Sequence, residues 1–246
     1  VYVMHRLYVI ILRADLPTEL QLTPAQTTTL CKSFIDRLVE LHQVDYQACG
    51  MADLGKPDGY VARQIKGWSE RYDNARTPDA PGWQEVRTWL EEKMPADHPR
   101  PAIVHNDYRF DNVILDANDP LRIIGVLDWE LTTLGDPLMD LGNTLAYWIE
   151  ADDSAPVQLM RRQPSNAPGM LTRQAFVDYY AERAGIEIKC FDFYYIYGLF
   201  RLAGIVQQIY YRYYHGQTAD KRFAPFVQMN ALLEKMALGV VARSSL

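Results

Sequence analysis

Apolar residues recur at helical spacing through most of the chain, so the sequence predicts a mainly helical protein. Thr23-Pro24-Ala25-Gln26 has the order of a capping box with proline at the first helical position. Apolar side chains then follow at intervals of three and four residues, which predicts a helix from Thr23 to about His42. The same reasoning predicts six further helices, at about 60–75, 83–94, 137–148, 172–184, 192–214 and 222–241.

Short runs of β-branched and aromatic residues predict a few strands. Residues 2–4 and 8–12 predict one or two strands near the start, and residues 102–104 predict another. Residues 113–115 and 123–127 predict a hairpin across a turn at 116–120. Residues 151–169 are polar and rich in proline, which predicts a loop. The expected fold is α+β, mainly helical, with one small β-hairpin.

The segment that joins the predicted strand to the hairpin carries polar residues suited to phosphoryl transfer. Asp107 lies two residues after His105, and Asn112 lies five residues after Asp107. Asp128 ends the second hairpin strand. Phosphoryl transfer needs a carboxylate that receives the proton of the acceptor hydroxyl, and oxygen ligands that hold Mg²⁺ against the phosphates. Asp107 fits the first task, and Asn112 and Asp128 fit the second. Taken alone, a loop aspartate such as Asp107 is more often a structural turn residue, and Asn112 and Asp128 also suit a turn and a strand end. Their combination favours catalysis.

Three nearby residues are expected to support this site. His105 is expected to hold the backbone of the loop rather than to act as the base. Asp136 precedes Pro137 and is expected to cap the helix that begins there. Asp140 lies in the first turns of that helix, where a negative charge is favourable, and it could also reach back to amides of the loop.

Other charged residues are candidates for contact with a substrate. Arg109 and Asp111 lie inside the loop and either contact the substrate or are solvated. Glu130 follows the hairpin and is a further candidate for such a contact. Arg201 lies in an aromatic helix that is expected to be buried, and it therefore needs a partner, either an acidic residue or an anionic group of a ligand.

Composition excludes several classes of function. The net charge of −6 and the absence of a basic stripe argue against a nucleic-acid partner. The three cysteines form no close pair, which favours a reducing, cytoplasmic compartment. No run of about 18 apolar residues occurs, so no membrane association is expected.

Three motifs resemble the aminoglycoside phosphotransferase-like family, which includes choline and aminoglycoside kinases. They are H-x-D-x-x-x-x-N at 105–112, L-D-W-E at 127–130 and G-D-P-x-x-D-L at 135–141. Segments 67–72, 200–203 and 211–219 are similar to the branch associated with acyl-CoA dehydrogenases.

This resemblance implies a kinase-like fold, ATP and Mg²⁺, with Asp107 as the catalytic residue and Asn112 and Asp128 as metal ligands. It implies a small hydroxylated substrate, either a hydroxyacyl-CoA or an aminoglycoside-like molecule, and a link to the acyl-CoA dehydrogenase pathway.

The first residues of the chain depart from the family's pattern. The family's N-terminal lobe supplies a glycine-containing loop over the phosphates and a strand lysine. Here the first glycine is Gly50 and the first lysine is Lys32. Residues 2–6 resemble the hinge strand, with Met4 and His5 at the position where adenine binds. We therefore expect residues 1–12 to be the hinge strand and a remnant of the N-terminal lobe, and residues 13–246 to be a C-terminal lobe with its catalytic segment at 104–130.

Two functional hypotheses stay open on these grounds. The chain is either part of an ATP-dependent O-phosphotransferase, or a non-catalytic binding or regulatory module of the same fold. A hydrolase based on His105, Asp107 and a metal is less favoured, because no second group of metal-binding residues is evident.

Overall fold

Helices make up most of the protein in the computed structural model, which describes residues 9–246. In that part of the chain the eight α-helices are α1 (Pro24–His42), α2 (Tyr60–Ala75), α3 (Gln84–Glu92), α4 (Pro137–Ala146), α5 (Ala155–Gln158), α6 (Arg173–Ala184), α7 (Asp192–Tyr214) and α8 (Phe226–Val241). No helix among these residues has both the length and the apolar character needed to cross a bilayer.

Five short strands form two small antiparallel sheets within the described range. They are β1 (Val9–Ile10), β2 (Ala102–Val104), β3 (Val113–Asp116), β4 (Ile123–Val126) and β5 (Thr133–Gly135). The first sheet has the order β1-β3-β4, and the second pairs β2 with β5. Val113 lies opposite Val126, which confirms the predicted hairpin, although a bulge shifts the register after Ile114.

The local signals at the start of α1 act as predicted. The Thr23 hydroxyl accepts a hydrogen bond from the Gln26 amide, and the Gln26 side chain accepts one from the Thr23 amide. Both bonds use backbone donors that the helix itself cannot satisfy, so they fix its first turn.

Several boundaries differ from the predictions. The last helix begins at Phe226 rather than near 222, because Lys221–Phe223 form a separate 3₁₀ turn and Pro225 is the N-cap of the helix. The predicted loop at 151–169 contains α5. The strand predicted at 8–12 is reduced to Val9–Ile10, and the one predicted at 2–4 lies outside the described residues. The predicted strand at 102–104 is confirmed as β2. The strand β5 was not predicted, because Thr133–Gly135 contains one β-branched residue and ends in glycine, whereas β2 contains Ile103 and Val104.

Helix α4 lies between two hydrophobic cores. The first core is built mainly from α2, α3, α7 and α8, and it includes Met139 of α4. The second core is built mainly from α1, β3 and α6, and it includes Leu141 of α4. Every residue of α4 is buried as a result.

Glycines allow α4 to cross α7 at very short range. A Cβ atom at Gly142 would overlap the backbone carbonyl of Tyr194, and one at Gly198 would overlap the carbonyl of Gly142. The two backbones are therefore in direct contact. This crossing fixes the position of α4, which carries Asp140 into the site described next.

Candidate active site

Asp140 anchors the loop that follows β2. Its two carboxylate oxygens accept hydrogen bonds from the backbone amides of His105 and Asn106, each at 2.7 Å. His42, at the end of α1, lies 3.1 Å from the same carboxylate through Nε2. Burial alone would raise the pKa of Asp140, but the His42 contact and the backbone amides hold it below its ordinary value. The fully buried Asp140 is thus a charged anchor for the backbone of the loop.

His105 is fully buried and connects the loop to the hairpin. Its Nδ1 accepts a hydrogen bond from the Asp107 amide at 3.2 Å, so its Nε2 carries the proton. That Nε2 donates to the carbonyl of Leu127 at 2.8 Å. Both ring nitrogens are used in holding backbone, which places His105 in a positioning role and leaves it no lone pair for base catalysis.

Asn106 has a left-handed backbone, with φ at 65°, and its side chain makes three further links. Its Oδ1 accepts hydrogen bonds from the Tyr60 hydroxyl at 3.2 Å and from Asn143 Nδ2 at 3.1 Å. Its Nδ2 donates to the carbonyl of Leu131 at 3.0 Å. The turn before Asp107 is therefore tied to α2, to α4 and to the segment after the hairpin.

Asp107 and Asn112 are in direct contact. The Nδ2 of Asn112 donates to the backbone carbonyl of Asp107 at 2.8 Å and to its Oδ2 at 3.0 Å. Because both neighbours are acceptors, the amide nitrogen must face Asp107. The Oδ1 of Asn112 accepts no hydrogen bond from residues 9–246 and is left for another ligand.

Asp128 follows β4 and is linked to the loop through the backbone of the preceding residue, Leu127. The Leu127 amide donates to the carbonyl of Asn112 at 2.8 Å, and the Leu127 carbonyl accepts the bond from His105. Asp128 itself has a left-handed backbone, with φ at 65° and ψ at 57°, and begins the turn Trp129–Leu131. Its exposed carboxylate forms no hydrogen bond or ion pair within the described range.

Arg109 is paired with the carboxylates of the loop. Its guanidinium lies 3.1 and 3.2 Å from the two oxygens of Asp107 and 3.4 Å from Asp111. It also lies over the ring of Tyr147, 4.6 Å from the centroid. Burial lowers the pKa of Arg109, but Asp107 and Asp111 raise it above its ordinary value. Both loop carboxylates share this one arginine.

Of the remaining residues that the sequence predicted for the site, Asp136 and Glu130 do not line the cleft described next. Asp136 is buried and caps α4, because its Oδ1 accepts a bond from the Leu138 amide at 2.8 Å. Burial raises the pKa of Asp136. Glu130 is exposed and makes no ion pair or hydrogen bond with residues 9–246. Met4 and His5 lie outside the described residues.

A cleft of about 520 Å³ opens beside Asp107. It lies between α2, α7 and the loop, and the side chains that line it are Gln64, Trp68, Arg71, Asn106, Asp107, Arg109, Leu131, Thr133, Tyr147, Arg201 and Ile205. A second cavity of about 270 Å³ shares Arg109, Tyr147 and Ile205 with the cleft and is otherwise largely apolar. The carboxylate of Asp107 thus faces a space large enough for a small molecule.

Asn112 and Asp128 fit a magnesium ion through their donor atoms. Each offers an oxygen that residues 9–246 leave without a partner. Mg²⁺ keeps several waters and takes one or two protein oxygens together with phosphate oxygens. No cluster of three or more histidine, cysteine or acidic side chains suited to a metal occurs in the same range, so a closed all-protein cage is absent there.

Two supporting residues carried too weak a signal to be predicted. His42 stands four residues after Leu38 on the buried face of α1, which is also the pattern of an ordinary core residue. Tyr60 begins α2 with no polar neighbour in sequence that indicates its bond to Asn106. Their partners lie 98 and 46 residues away along the chain, so only the folded structure brings them together.

Comparison with known sequences gives one consistent family. A profile described as Phosphotransferase enzyme family matches residues 1–176. Acyl-CoA dehydrogenase family member 11 of Gallus gallus is 31% identical over 250 residues, which cover 99% of this chain and 31% of that protein. Family member 10 of Mus musculus is 32% identical over 219 residues, covering 88% of this chain and 20% of that protein. The chain therefore spans about a third or less of these curated relatives.

Solved structures have the same fold. A Ralstonia eutropha protein, provisionally assigned as an aminoglycoside phosphotransferase, is 29% identical with a TM-score of 0.81, covering 100% of this chain and 72% of that one. Choline kinase LicA from Streptococcus pneumoniae is 14% identical with a TM-score of 0.52, covering 93% of this chain and 68% of that one. A structure of LicA was also solved with AMP. At this low identity the choline kinase likeness shows the fold alone.

Proposed function

Because the chain belongs to the phosphotransferase enzyme family, we propose that it transfers the γ-phosphoryl group of ATP to a hydroxyl of a small molecule in the presence of Mg²⁺. The observation that carries the proposal is the contact between Asn112 and Asp107, which lines the cleft. This contact positions a carboxylate toward an acceptor and turns an amide oxygen toward a metal. A kinase-like site needs both on one framework.

Asp107 is the proposed base. It receives the proton of the acceptor hydroxyl while that oxygen bonds to the γ-phosphorus and the bond to the ADP oxygen breaks. Arg109, beside both oxygens of Asp107, restricts the rotation of this carboxylate. His105 and Asp140 position the backbone around it. Proton transfer by a positioned group contributes about 10²–10⁴-fold to a rate.

Asn112 and Asp128 are the proposed ligands of Mg²⁺. When bound, the ion neutralises charge on the phosphates. The backbone N–H of Leu127 bonds to Asn112 and its carbonyl to His105, so this residue holds the proposed ligands in a fixed position relative to the base. Met4 and His5 are proposed to contact the adenine. The division into a hinge segment at 1–12 and a catalytic lobe at 13–246 belongs to the same proposal.

The apolar cavity next to the cleft favours a hydroxyacyl thioester as the acceptor. Its lining includes Ile149, Leu202 and Val206, which suit an acyl chain and offer no acceptor for the amines of an aminoglycoside. The acyl-CoA dehydrogenase names of the relatives point to the same class of substrate. We therefore rank the hydroxyacyl-CoA above the aminoglycoside-like molecule.

The proposal is tested by measuring the phosphotransfer activity of the Asp107→Ala variant. Full-length protein is assayed with Mg-ATP against hydroxyacyl-CoAs, aminoglycosides and amino alcohols. Asp107→Ala should lower turnover by at least about 10²-fold while the circular dichroism spectrum and melting temperature stay close to those of the parent. Asp119→Ala, an exposed aspartate in the hairpin turn, is the matched control and should keep full activity. Undiminished turnover by Asp107→Ala refutes the mechanism, and nucleotide binding without any turnover supports a regulatory module instead.

A further inference from the structure

Arg201 is a buried cation that has no anionic partner among residues 9–246. It lies on α7 with 4% of its surface exposed, and it lines the cleft. Two other Asp, Glu, Lys or Arg side chains are equally buried between residues 9 and 246, Asp136 and Asp140, and both accept backbone hydrogen bonds. Arg201 has no carboxylate within 4.0 Å and forms no hydrogen bond in that range. A buried charge is costly unless something compensates it.

A second unpaired arginine lies close to the same indole ring. The guanidinium of Arg201 is 5.2 Å from the ring centroid of Trp68, and that of Arg71 is 4.8 Å from it. The Trp68 ring packs against Gly204, where an added Cβ atom would come within 2.9 Å of the ring. Arg71 also lines the cleft and has no carboxylate within 4.0 Å in the described part of the chain. One rigid aromatic ring thus holds two guanidinium groups at the cleft wall.

The cleft is positive although the protein is acidic. Its lining contains three arginines and one carboxylate, Asp107, whereas the whole chain has a net charge of −6. Arg109 is neutralised by Asp107 and Asp111, so the charges of Arg71 and Arg201 are not compensated. The tyrosines beside Arg201, Tyr147 and Tyr197, do not compensate them either, because burial raises the pKa of both phenols and keeps them neutral.

We propose that Arg201 and Arg71 bind a carboxylate or phosphate group of the acceptor, so that this site selects hydroxylated anions and rejects polycations. The proposal rests on the phosphotransferase function, in which the hydroxyl of the same molecule reaches Asp107. Guanidinium groups form paired, charge-assisted hydrogen bonds with both kinds of anion. The anion would complete the coordination that the protein leaves open at Arg201.

The Arg201→Met variant tests whether Arg201 binds a ligand or only stabilises the fold. Methionine keeps most of the apolar stem and removes the charge. The substitution removes an uncompensated buried charge, so the melting temperature of the protein should stay constant or rise. The affinity for anions should fall by at least about tenfold, because the guanidinium that binds them is gone. Arg201→Lys keeps the charge without the fork and should bind with intermediate affinity. Arg212→Met, an exposed arginine on the same helix, is the control and should change neither quantity.

Binding is measured by calorimetry without ATP, using pyrophosphate in one arm and succinate in the other. Weaker binding of either anion to Arg201→Met than to the parent supports the proposal. The anion whose binding is weakened shows whether the site binds a phosphate or a carboxylate group. No binding in either arm, or equal binding by parent and variant, overturns it. If Arg201→Met does not fold, the exposed Arg71→Met serves in the same comparison. The assay does not depend on turnover, so an inactive protein that binds these anions refutes the phosphotransferase function alone.

Kinetics with matched acceptors complete the test in the active protein. The KM for a hydroxy acid should rise at least about tenfold in Arg201→Met, whereas kcat should change little, because the arginine holds a remote group and not the reacting atoms. Where the succinate arm responds, the amide of the same acid should be a poor acceptor for the parent, and equal use of acid and amide overturns the proposal. Where the pyrophosphate arm responds, the matched pair is a hydroxyacyl-CoA and the same thioester without phosphate groups, and equal use of that pair overturns it.

Discussion

At the scale of single residues, the candidate site is a set of side chains that hold backbone. Asp140, His105 and Asn106 each bind main-chain groups of the loop or the hairpin. Asp107 is therefore presented by a framework whose own polar groups are already satisfied, so little rearrangement is needed before an acceptor binds.

Asp140→Asn should destabilise the protein by about 3–5 kcal/mol at neutral pH. The amide can accept only one of the two backbone bonds, and its nitrogen would face a donor. The comparison is made by urea unfolding of parent and variant.

The same pair of proteins should differ in its response to acid. Folding holds the pKa of Asp140 below its ordinary value of 3.8, so the unfolded state takes up this proton first as the pH falls. The stability from Asp140 is complete above that value and is lost as the pH falls through the folded pKa. The difference in unfolding free energy between parent and Asp140→Asn should therefore shrink below about pH 4. A constant difference from pH 7 to pH 3 would contradict the assignment.

Asp128→Gly should lower activity without lowering the stability of the protein. A left-handed backbone costs a non-glycine residue about 1–2 kcal/mol, which glycine avoids. The variant should be as stable as the parent or slightly more so, although it loses a proposed metal ligand. Thermal unfolding and phosphotransfer are measured side by side. Asparagine tolerates a left-handed backbone better than most residues. The Asp128→Asn variant therefore shows whether the loss of charge alone reduces activity.

At the scale of secondary-structure elements, the long helices and the strands rich in β-branched residues were predictable, including the three-residue strand β2, whereas two other short elements were not. The capping box at Thr23, the hairpin and the long helices follow from local patterns. The strand β5 and helix α5 contain three and four residues, and tertiary pairing rather than local preference forms them.

The same limit applies to the candidate site. The spacing of Asp107, Asn112 and Asp128 indicated a shared chemistry, and the fold places the first two in contact. The need of Arg201 for a partner was also evident from its apolar neighbours in sequence. The roles of His42 and Trp68 depend on contacts between distant segments, which no local pattern encodes.

The crossing of α4 and α7 should tolerate no side chain. Gly142→Ala and Gly198→Ala each place a methyl group against backbone and should cost about 1–3 kcal/mol or more. Gly239→Ala on α8 is the control, because its Cβ would meet only the end of Arg243 at 3.8 Å. It should be stabilising by about 0.5–1 kcal/mol, since alanine is the better helix former. Equal melting temperatures for the three variants would show that the helices can move apart.

At the scale of the whole molecule, α4 makes the two cores depend on each other. Its buried residues belong to both, so neither core can lose α4 and remain packed. We expect residues 9–246 to unfold in a single cooperative transition, although the chain has two hydrophobic clusters.

Substitutions in separate cores test this cooperativity. Phe200→Leu affects the first core and Phe34→Leu the second. Each should shift one common urea transition, with the same midpoint by far- and near-ultraviolet circular dichroism. If two transitions were seen and each substitution shifted only one of them, the two cores would unfold independently.

The bonds from Asp140 to the amides of His105 and Asn106 also imply a pattern of hydrogen exchange. Both loop amides donate to a fully buried carboxylate on the enclosed helix α4, so their protons should exchange with solvent only through unfolding of most of the molecule. The exposed turn at Trp129–Leu131 has no comparable cover and should exchange much sooner. One half of the candidate site would then open as rarely as the core, and local opening would be confined to the half that carries Asp128.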